Sequence, residues 1–182
     1  MKHVMLDLET LGTIPGASVI SIGAAEFELD GSIGRTFSQN ISAASCREIG
    51  CVEDPATHDW WAKQSKEAQD RLTKGRKHVA EAAALFHAWF QKCGADFVWG
   101  NGATFDISLW EAICRKLGIS APWKFWNVRD MRTVIHLFDF DVRDMKRSGV
   151  HHDALDDVKF QITCVSAALK KGRAGAVESV FG

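Results

Sequence analysis

The sequence lacks several features that would mark a membrane, fibrous or strongly basic protein. Only three of its 182 residues are proline, the net charge is -1, and hydrophobic residues make up 46%. This composition is typical of an ordinary globular protein without disordered or repetitive segments. No apolar run approaches the ~18 residues that a membrane helix needs. With so little net charge, any binding to nucleic acid would depend on a local basic patch or on bridging metal ions.

Paired cysteine motifs are also missing. The five cysteines are odd in number and contain no C-x-x-C pair, which favours reduced thiols and argues against a cysteine-built zinc site. Met1-Lys2-His3-Val4 leads directly into a strand pattern and leaves no space for a signal peptide. We therefore expect a cytoplasmic protein with no membrane contact, folded as one domain over residues 1–182.

The first apolar stretch carries two acids. His3-Val4-Met5-Leu6-Asp7-Leu8-Glu9-Thr10 is predicted to be a buried strand in which Asp7 and Glu9 leave the same face, ~6.6 Å apart along the strand. Burying one carboxylate is costly unless it is paired, and a second one on the same face adds repulsion. The strand is therefore either a platform for a cation or a strand that ends near Leu6 and leaves both acids in solvent.

The rest of the chain alternates between strand and helix patterns. Three strands with short connections come first, and helices and short strands then alternate, which predicts an α/β domain with a mixed sheet. After 3–10, the predicted strands are 18–29, 34–41, 96–100 and 127–131. The predicted helices are 57–72 with Thr57 as its cap, 78–92, 107–117, 132–138 and 151–171; the segment 42–56 is predicted to be irregular, and the charged segment 139–149 to be exposed.

More acids lie at the starts of predicted helices. Asp106 lies near one helix start, and Asp153, Asp156 and Asp157 lie in the first turn of the last helix. Each alone is explained by helix capping or by the helix dipole. Taken together with the two strand acids, they suit Mg²⁺ or Mn²⁺, and two such ions would stabilise both oxygens of a phosphodiester displacement. His152 adds a base that can deprotonate water near neutral pH.

These residues resemble the three motifs of a known enzyme family. Asp7-x-Glu9-Thr10, Phe105-Asp106 and His152-x-Ala154-x-x-Asp157 are similar to the motifs of the DEDDh branch of the DnaQ-like 3′-5′ exonucleases. The resemblance implies a ribonuclease H-like fold, with three antiparallel strands plus parallel strands flanked by helices. It implies Asp7, Glu9, Asp106 and Asp157 as metal ligands and His152 as general base. Its third motif selects His152 over His151, and Asp157 over Asp153 and Asp156.

Further segments narrow the resemblance to the exonuclease VIII-like group, which includes phage exonuclease A and a mycobacterial 3′-5′ exoribonuclease. They are 57–65 with its two tryptophans, 100–103 and 128–133. Candidate substrate contacts within this group are Thr10, Leu11 as an apolar wedge, Asn101, and one of Trp60 and Trp61. Adjacent helix residues point about 100° apart, so at least one tryptophan belongs to the core; we take Trp61 as the exposed one. The lysines and arginines of 63–77 either guide a phosphate backbone or form a solvated helix face.

The sequence thus predicts a metal-dependent 3′-5′ exonuclease with two Mg²⁺ or Mn²⁺ ions. We expect it to act on single-stranded DNA or RNA 3′ ends and to release nucleoside 5′-monophosphates. The choice between DNA and RNA stays open, because no motif here reports on the 2′-hydroxyl. Two alternatives are a ribonuclease H-type endonuclease and a non-catalytic nucleic-acid-binding domain of the same fold. A homodimer is favoured by the number of tryptophans and by the resemblance.

Overall fold

A mixed sheet of five strands forms the centre of the protein. The computed structural model describes the backbone of residues 1–181 and the side chains of residues 1–174. The strands are β1 (His3–Thr10), β2 (Val19–Phe27), β3 (Ile33–Asn40), β4 (Phe97–Gly100) and β5 (Val128–Asp130). Their order in the sheet is β3-β2-β1-β4-β5. The pairs β1/β2 and β2/β3 are antiparallel, whereas β4 and β5 run parallel to β1. The predicted fold class, a mixed α/β sheet with three antiparallel strands plus parallel strands, is confirmed.

Seven helices surround this sheet in the part of the chain that is described. They are α1 (Ala43–Glu48), α2 (Pro55–Ala62), α3 (Lys66–Thr73), α4 (Val79–Cys93), α5 (Ala103–Lys116), α6 (Met131–Leu137) and α7 (Ala154–Phe181). Among the described helices, none has both the length and the hydropathy needed to cross a membrane.

The two faces of β1 explain how the sheet holds two separate cores. Val4, Leu6 and Leu8 point into a core shared with α4 and α5, whereas Met5 points into a second core shared with α7. Because side chains alternate along a strand, Asp7 and Glu9 lie on the α7 face with Met5. The strand therefore keeps its apolar residues buried while it presents both acids at one end of the α7 side, as the sequence predicted.

The helices at 43–73 differ from the prediction. The segment 42–56 was expected to be irregular, but it contains α1, and the predicted helix 57–72 is two helices separated at Lys63. The break has a local cause, since the Ser65 hydroxyl accepts a hydrogen bond from Ala68 N at 3.2 Å and starts α3 anew. The cap of α2 is Asp54 rather than Thr57, with Pro55 in the first helical position.

Two later helix boundaries and the expected exposure of one segment were also wrong. Helix α5 begins at Ala103, four residues before the predicted start, so Asp106 lies inside its first turn. Helix α7 extends beyond 171 to Phe181. The segment 139–149, which was expected to be exposed, contains a short 3-10 helix, Val142–Asp144. Arg147 contradicts that expectation, because its side chain is only 19% exposed.

Candidate active site

The two acids of β1 lie at the end of the strand, beyond the point where its neighbour β4 stops. Pairing between β1 and β4 ends at Met5 and Trp99, whereas β2 continues alongside Asp7 and Glu9. Asp7 Oδ1 accepts a hydrogen bond from Gln161 Nε2 at 2.7 Å. Glu9 is 6% exposed, and its Oε1 has no hydrogen-bond partner among the described residues. The strand end thus buries two carboxylates that the protein itself only partly satisfies.

Asp106 fills the space that β4 leaves open. Its carboxylate Oδ1 accepts a hydrogen bond from Leu8 N at 3.2 Å, and its side chain is 3% exposed. The capping explanation does not hold for Asp106, because the first N–H groups of α5 are occupied by another residue. Asp130 Oδ2 accepts from Gly102 N at 3.1 Å and from Ala103 N at 2.6 Å. Asp106 is therefore a buried acid aimed at β1 and not a solvated helix cap.

The start of α7 reaches β1 because β2 has a glycine at the crossing point. Gly23 pairs with Asp7 across the strands, and a Cβ atom on Gly23 would lie 2.3 Å from the carbonyl carbon of Ala154. Only a residue without a side chain permits this approach. Ala154 is itself 2% exposed. The small residues at these two positions let the start of α7 lie against the sheet, where Asp157 is close to Glu9 and lines one cavity with Asp7.

His152 precedes α7 in a strained backbone conformation. Its φ is 63°, a left-handed value that non-glycine residues adopt only when their surroundings impose it. Its ring lies edge-on against Trp60, with ring centroids 4.7 Å apart. The burial of the ring, together with the charges of His151 and Arg147, lowers the pKa of His152. The imidazole is therefore kept neutral and able to accept a proton near neutral pH.

The loop around His152 is tied to α3. Arg71 Nη1 donates to Asp153 Oδ2 at 3.0 Å and to Asp156 Oδ2 at 3.2 Å. Asp156 Oδ2 also accepts from Val150 N at 3.0 Å, and Asp153 Oδ1 accepts from Asp156 N at 3.1 Å. Asp153 and Asp156 thus hold the loop and the start of the helix in place through hydrogen bonds. Asp157 is the acid of this helix turn that faces β1.

Ligand atoms from three of these residues converge. One carboxylate oxygen each from Glu9 and Asp157 and one ring nitrogen of His152 all lie within 4.8 Å of one another. Burial is the main cause that raises the pKa of Asp7 well above its usual range, and the charges of Asp106 and Glu9 raise it further. Burial and Asp106 raise the pKa of Glu9 to about 8, and burial raises that of Asp106 to about 7.

These residues fit a divalent cation on chemical grounds. The metal donors are the carboxylate oxygens, which are the ligands that hard cations such as Mg²⁺ and Mn²⁺ prefer. The unpartnered Glu9 Oε1 is a buried oxygen that needs a positive partner. Mutual repulsion among the acids would be removed by a cation placed between them. The arrangement can therefore concentrate positive charge where a phosphodiester is hydrolysed.

The raised pKa values predict an unusual pH dependence of the metal-free protein. Folded Glu9 and Asp106 hold their protons up to about pH 8 and pH 7, whereas their ordinary pKa values are 4.5 and 3.8. Between roughly pH 4 and pH 8 the folded state thus binds more protons than the unfolded chain, so the free energy of unfolding must fall as pH rises. We expect the melting temperature in EDTA to fall between about pH 5.5 and pH 8.5.

Saturating Mn²⁺ and the Glu9→Gln variant provide two further tests of this pH dependence. Saturating Mn²⁺ should abolish much of the decline, because a cation stabilises the ionised acids. Glu9→Gln should flatten the EDTA profile, since the amide does not titrate. A wild-type melting temperature that rises across this interval would contradict the raised pKa values.

A cavity of about 460 Å³ opens beside Glu9 on the α2 side. Its lining includes Thr10, Thr13, Trp60, Trp61 and Phe105. Thr10 lines it, but the hydroxyl of Thr10 donates to Gly12 O at 2.8 Å. Trp60 is 42% exposed and Trp61 8%, so the prediction that Trp61 is the exposed tryptophan is wrong. The Trp61 indole N–H donates to Thr10 O at 2.8 Å, which orients the ring inward and leaves Trp60 beside His152.

The remaining predicted substrate residues lie elsewhere. Leu11 is 7% exposed and packs with Trp61 and Leu72. It lines a separate cavity and not the one beside Glu9, and its role as an apolar wedge stays a prediction. Asn101 lines a second cavity, of about 490 Å³, together with Asp7. Its Oδ1 accepts from Arg132 Nε at 3.2 Å.

The basic stretch at 63–77 is engaged mainly with the protein itself. Arg71 bridges the loop acids described above, and Lys66 pairs with Asp70. Lys77 pairs with Glu81, and Arg76 donates to Leu72 O. These pairs favour the interpretation that the stretch is a solvated helix face. They argue against a path for a phosphate backbone.

Four residues of the site were not singled out from the sequence. They are Gly23, Gln161, Arg147 and, in its contact with His152 though not as a candidate substrate residue, Trp60. Gln161 follows Asp157 by four residues and so lies on the same helix face, a spacing that could have identified it. Gly23 and Arg147 have no local signal, since their importance depends on which distant residue lies against them.

Comparisons with known proteins agree with this geometry. A family model described as the 3′-5′ exoribonuclease Rv2179c-like domain matches residues 2–169. An exodeoxyribonuclease of Enterobacteria phage T4 is 26% identical over 205 residues, covering 93% of this chain and 90% of the relative.

Solved structures share the fold at lower identity. The nuclease domain of 3′hExo, a DEDDh family member bound to rAMP, has a TM-score of 0.58 at 14% identity and covers 93% of this chain and 92% of that chain. Pop2p of S. pombe in a Mg²⁺- and Mn²⁺-bound form has a TM-score of 0.53 at 13% identity, covering 91% and 81%. The predicted ribonuclease H-like fold is confirmed by these neighbours. With its family model spanning most of the chain, the protein belongs to the Rv2179c-like 3′-5′ exoribonuclease domain family and is a 3′-5′ exonuclease of the DEDDh type.

Proposed function

We propose that this exonuclease is metal-dependent and removes nucleotides one at a time from single-stranded 3′ ends, releasing nucleoside 5′-monophosphates. The observation that carries the proposal is the convergence of Glu9, His152 and Asp157 ligand atoms within 4.8 Å. These residues come from opposite ends of the chain and meet at the end of β1. Two further buried acids lie close to Glu9. The charge of Asp106 raises the pKa of Glu9, and the charge of Glu9 raises the pKa of Asp7.

The proposal assigns two ions to four carboxylates. Asp7, Glu9 and Asp157 would hold one, and Asp7 with Asp106 the other. When bound, Mg²⁺ or Mn²⁺ would supply positive charge to the attacking and leaving oxygens of the phosphodiester. Support for this choice comes from the donor chemistry and from the Mg²⁺- and Mn²⁺-bound form of the structural neighbour Pop2p.

The proposed chemistry of the chain's own residues begins at His152. A neutral ring nitrogen of His152 accepts a proton from the attacking water, whose oxygen forms a bond to phosphorus while the bond to the 3′-oxygen breaks. The terminal nucleotide then leaves as a 5′-monophosphate. Trp60 supports this role, because its edge-on contact restricts the rotation of the imidazole.

The cavity beside Glu9 is proposed to receive the terminal nucleotide. Its size, about 460 Å³, is within the range of small-ligand sites. Trp60 and Phe105 offer aromatic surfaces on which any base can stack, which suits an enzyme that accepts all sequences. The carbonyl of Thr10 is held by Trp61, so that the backbone at the cavity floor is fixed.

Replacing Trp60 tests this assignment. Trp60→Ala should raise KM for a single-stranded oligonucleotide by about 5- to 100-fold, because stacking contributes ~1–3 kcal/mol per base. Trp126→Ala is a matched control, since Trp126 is also an exposed tryptophan, 60% exposed, and lies outside this cavity. Steady-state kinetics on both variants give the comparison. An unchanged KM in Trp60→Ala would remove the stacking role.

The relatives differ in the sugar of the nucleic acid that their names give, and our proposal on the sugar takes both into account. The family model is described as an exoribonuclease, whereas the phage T4 relative is an exodeoxyribonuclease. The 3′hExo neighbour was solved with rAMP, a nucleoside monophosphate of the type the reaction would release. We propose that both RNA and DNA ends are degraded, with the relative rates to be measured.

One assay tests the proposed function. Matched single-stranded RNA and DNA oligomers labelled at the 5′ end are incubated with Mg²⁺, with Mn²⁺ or with EDTA. We expect a ladder that shortens from the 3′ end with either ion and no shortening in EDTA. Full activity in EDTA would overturn the metal dependence, and a label released first as a mononucleotide would overturn the direction.

A circular single-stranded substrate addresses the alternative of a ribonuclease H-type endonuclease. The exonuclease leaves the circle intact, whereas an endonuclease opens it. Family membership argues against this alternative and against a non-catalytic domain. The cytoplasmic location remains part of the proposal and is supported by five free, buried cysteines. The homodimer stays a prediction, for which sedimentation velocity is the measurement.

A further inference from the structure

Arg147 is a partly buried cation in a segment that was expected to be exposed. The segment between α6 and α7 contains another arginine, Arg143, whose side chain is 87% exposed and pairs with Asp141. The Arg147 side chain is 19% exposed. Two arginines four residues apart thus have opposite environments. Burial of an arginine is uncommon unless an anion compensates the charge.

The anion that compensates Arg147 is a proposed metal ligand. Its Nη2 forms an ion pair with Asp157 Oδ1. The guanidinium carbon lies 5.0 Å from the centre of the Phe160 ring, in a cation–π contact. Its Nε is buried and has no hydrogen-bond partner among the described residues. The charge of Arg147 also opposes the rise in the pKa of Asp7 and of Glu9.

We propose that Arg147 is an internal counter-ion of the metal-binding carboxylates, which leaves Asp157 when a divalent ion binds and then holds a phosphate of the substrate strand. The inference rests on the proposed function, because it assumes that Asp157 holds a metal ion. In the metal-free protein Arg147 supplies one positive charge to a cluster of buried acids. An ion that takes Asp157 as a ligand has to share this carboxylate with the guanidinium, so that Arg147 competes with the metal.

The surroundings of Arg147 also indicate which group the guanidinium would contact after it leaves Asp157. It lines the cavity of about 490 Å³ together with Asp7, Asn101 and Arg132. This cavity is lined by Asp7 and Asp157, whereas the cavity that contains Trp60 is lined by Glu9. A strand whose last nucleotide occupies the cavity beside Glu9 must carry its preceding phosphates past the acids. Guanidinium groups bind phosphate oxygens strongly, and the Phe160 ring would keep Arg147 within reach.

The two halves of the proposal predict effects of opposite sign in Arg147→Met. The variant should bind Mn²⁺ about tenfold more tightly, since no charge pair has to be broken. Its KM for a single-stranded oligonucleotide should rise by about tenfold, because a charged hydrogen bond to phosphate is lost. A site that is merely damaged would bind both the ion and the oligonucleotide more weakly.

Isothermal titration with Mn²⁺ alone and steady-state kinetics are the measurements. Arg143→Met is the matched control and should leave both values unchanged, since its arginine is exposed and pairs only with Asp141. Should Arg147→Met not fold, Arg147→Lys keeps the charge but loses the planar fork, and it should show the same signs with smaller changes. A folded Arg147 variant that binds Mn²⁺ no more tightly than wild type overturns the inference.

The failure of this inference can be told apart from failure of the proposed function. If the wild-type protein binds no Mn²⁺ and degrades its substrate in EDTA, the metal dependence itself is wrong and the inference falls with it. If the wild-type protein binds Mn²⁺ and requires it, and Arg147→Met matches the wild type in both measurements, only the role of Arg147 is wrong.

Discussion

His152→Ala should lower kcat by about 10²- to 10⁴-fold while leaving Mn²⁺ binding largely intact. The size is that of a general base positioned in the transition state. The ring is poised for this role, because its pKa is lowered by burial and by His151 and Arg147 and because Trp60 holds it edge-on. Kinetics at saturating Mn²⁺, with isothermal titration of the ion, give both quantities.

His151→Ala is the control for this experiment. The two histidines are adjacent and their ring centroids are 5.9 Å apart, but the atoms that converge with Glu9 and Asp157 belong to His152. His151→Ala should retain a kcat within a few-fold of wild type. An unchanged kcat in His152→Ala would remove it from the mechanism, and a large loss of Mn²⁺ affinity would make it a ligand instead of a base.

Gly23→Ala should impair both activity and stability although it adds a single methyl group. The added Cβ would lie 2.3 Å from Ala154 C and 2.5 Å from Ala154 O and Leu155 N. All three are backbone atoms, so that the start of α7 must move by about 1 Å, enough to cost roughly 10²-fold in kcat. We expect a further destabilisation of ~1–3 kcal/mol, which is typical of overpacking.

Thermal denaturation and kcat measured on the same preparation test this prediction. Gly75→Asn provides a control, because no atom of the described residues lies within 4 Å of the Cβ position of Gly75 and asparagine tolerates its φ of 59°. The control should keep wild-type kcat and stability. Gly23→Ala with wild-type kcat would show that α7 need not approach β2 this closely for the site to work.

Local patterns were sufficient for the elements with a clear period or cap. The alternation in His3–Thr10 correctly predicted a strand with apolar residues on one face and Asp7 and Glu9 on the other. The helix at Val79–Cys93 was found because its apolar face repeats and Gly94 ends it in a left-handed conformation. Elements with weaker signals were missed, such as α1 and the break before α3, since single caps and short turns decide them.

The exposure of individual side chains was decided by distant contacts. Trp60 and Trp61 are adjacent and chemically identical, and Trp61 turns inward because it donates to Thr10 O and packs with Leu11 and Leu72. Arg143 and Arg147 share one charged segment, but Asp157 and Phe160 draw only Arg147 out of solvent. Neither choice leaves a trace in the local sequence.

By itself, the sequence determined the opening strand with its two acids, the mixed α/β fold and the family. Strand period and motif spacing are local properties that survive in the order of residues. Only the tertiary structure decided three contacts. The Asp106 carboxylate accepts from Leu8 N where β1 has no strand neighbour, Gly23 allows α7 to pack close to the sheet, and Arg147 forms an ion pair with Asp157. These contacts join residues far apart in the chain, and their energies depend on burial and approach distances that exist only after the sheet and its helices have packed.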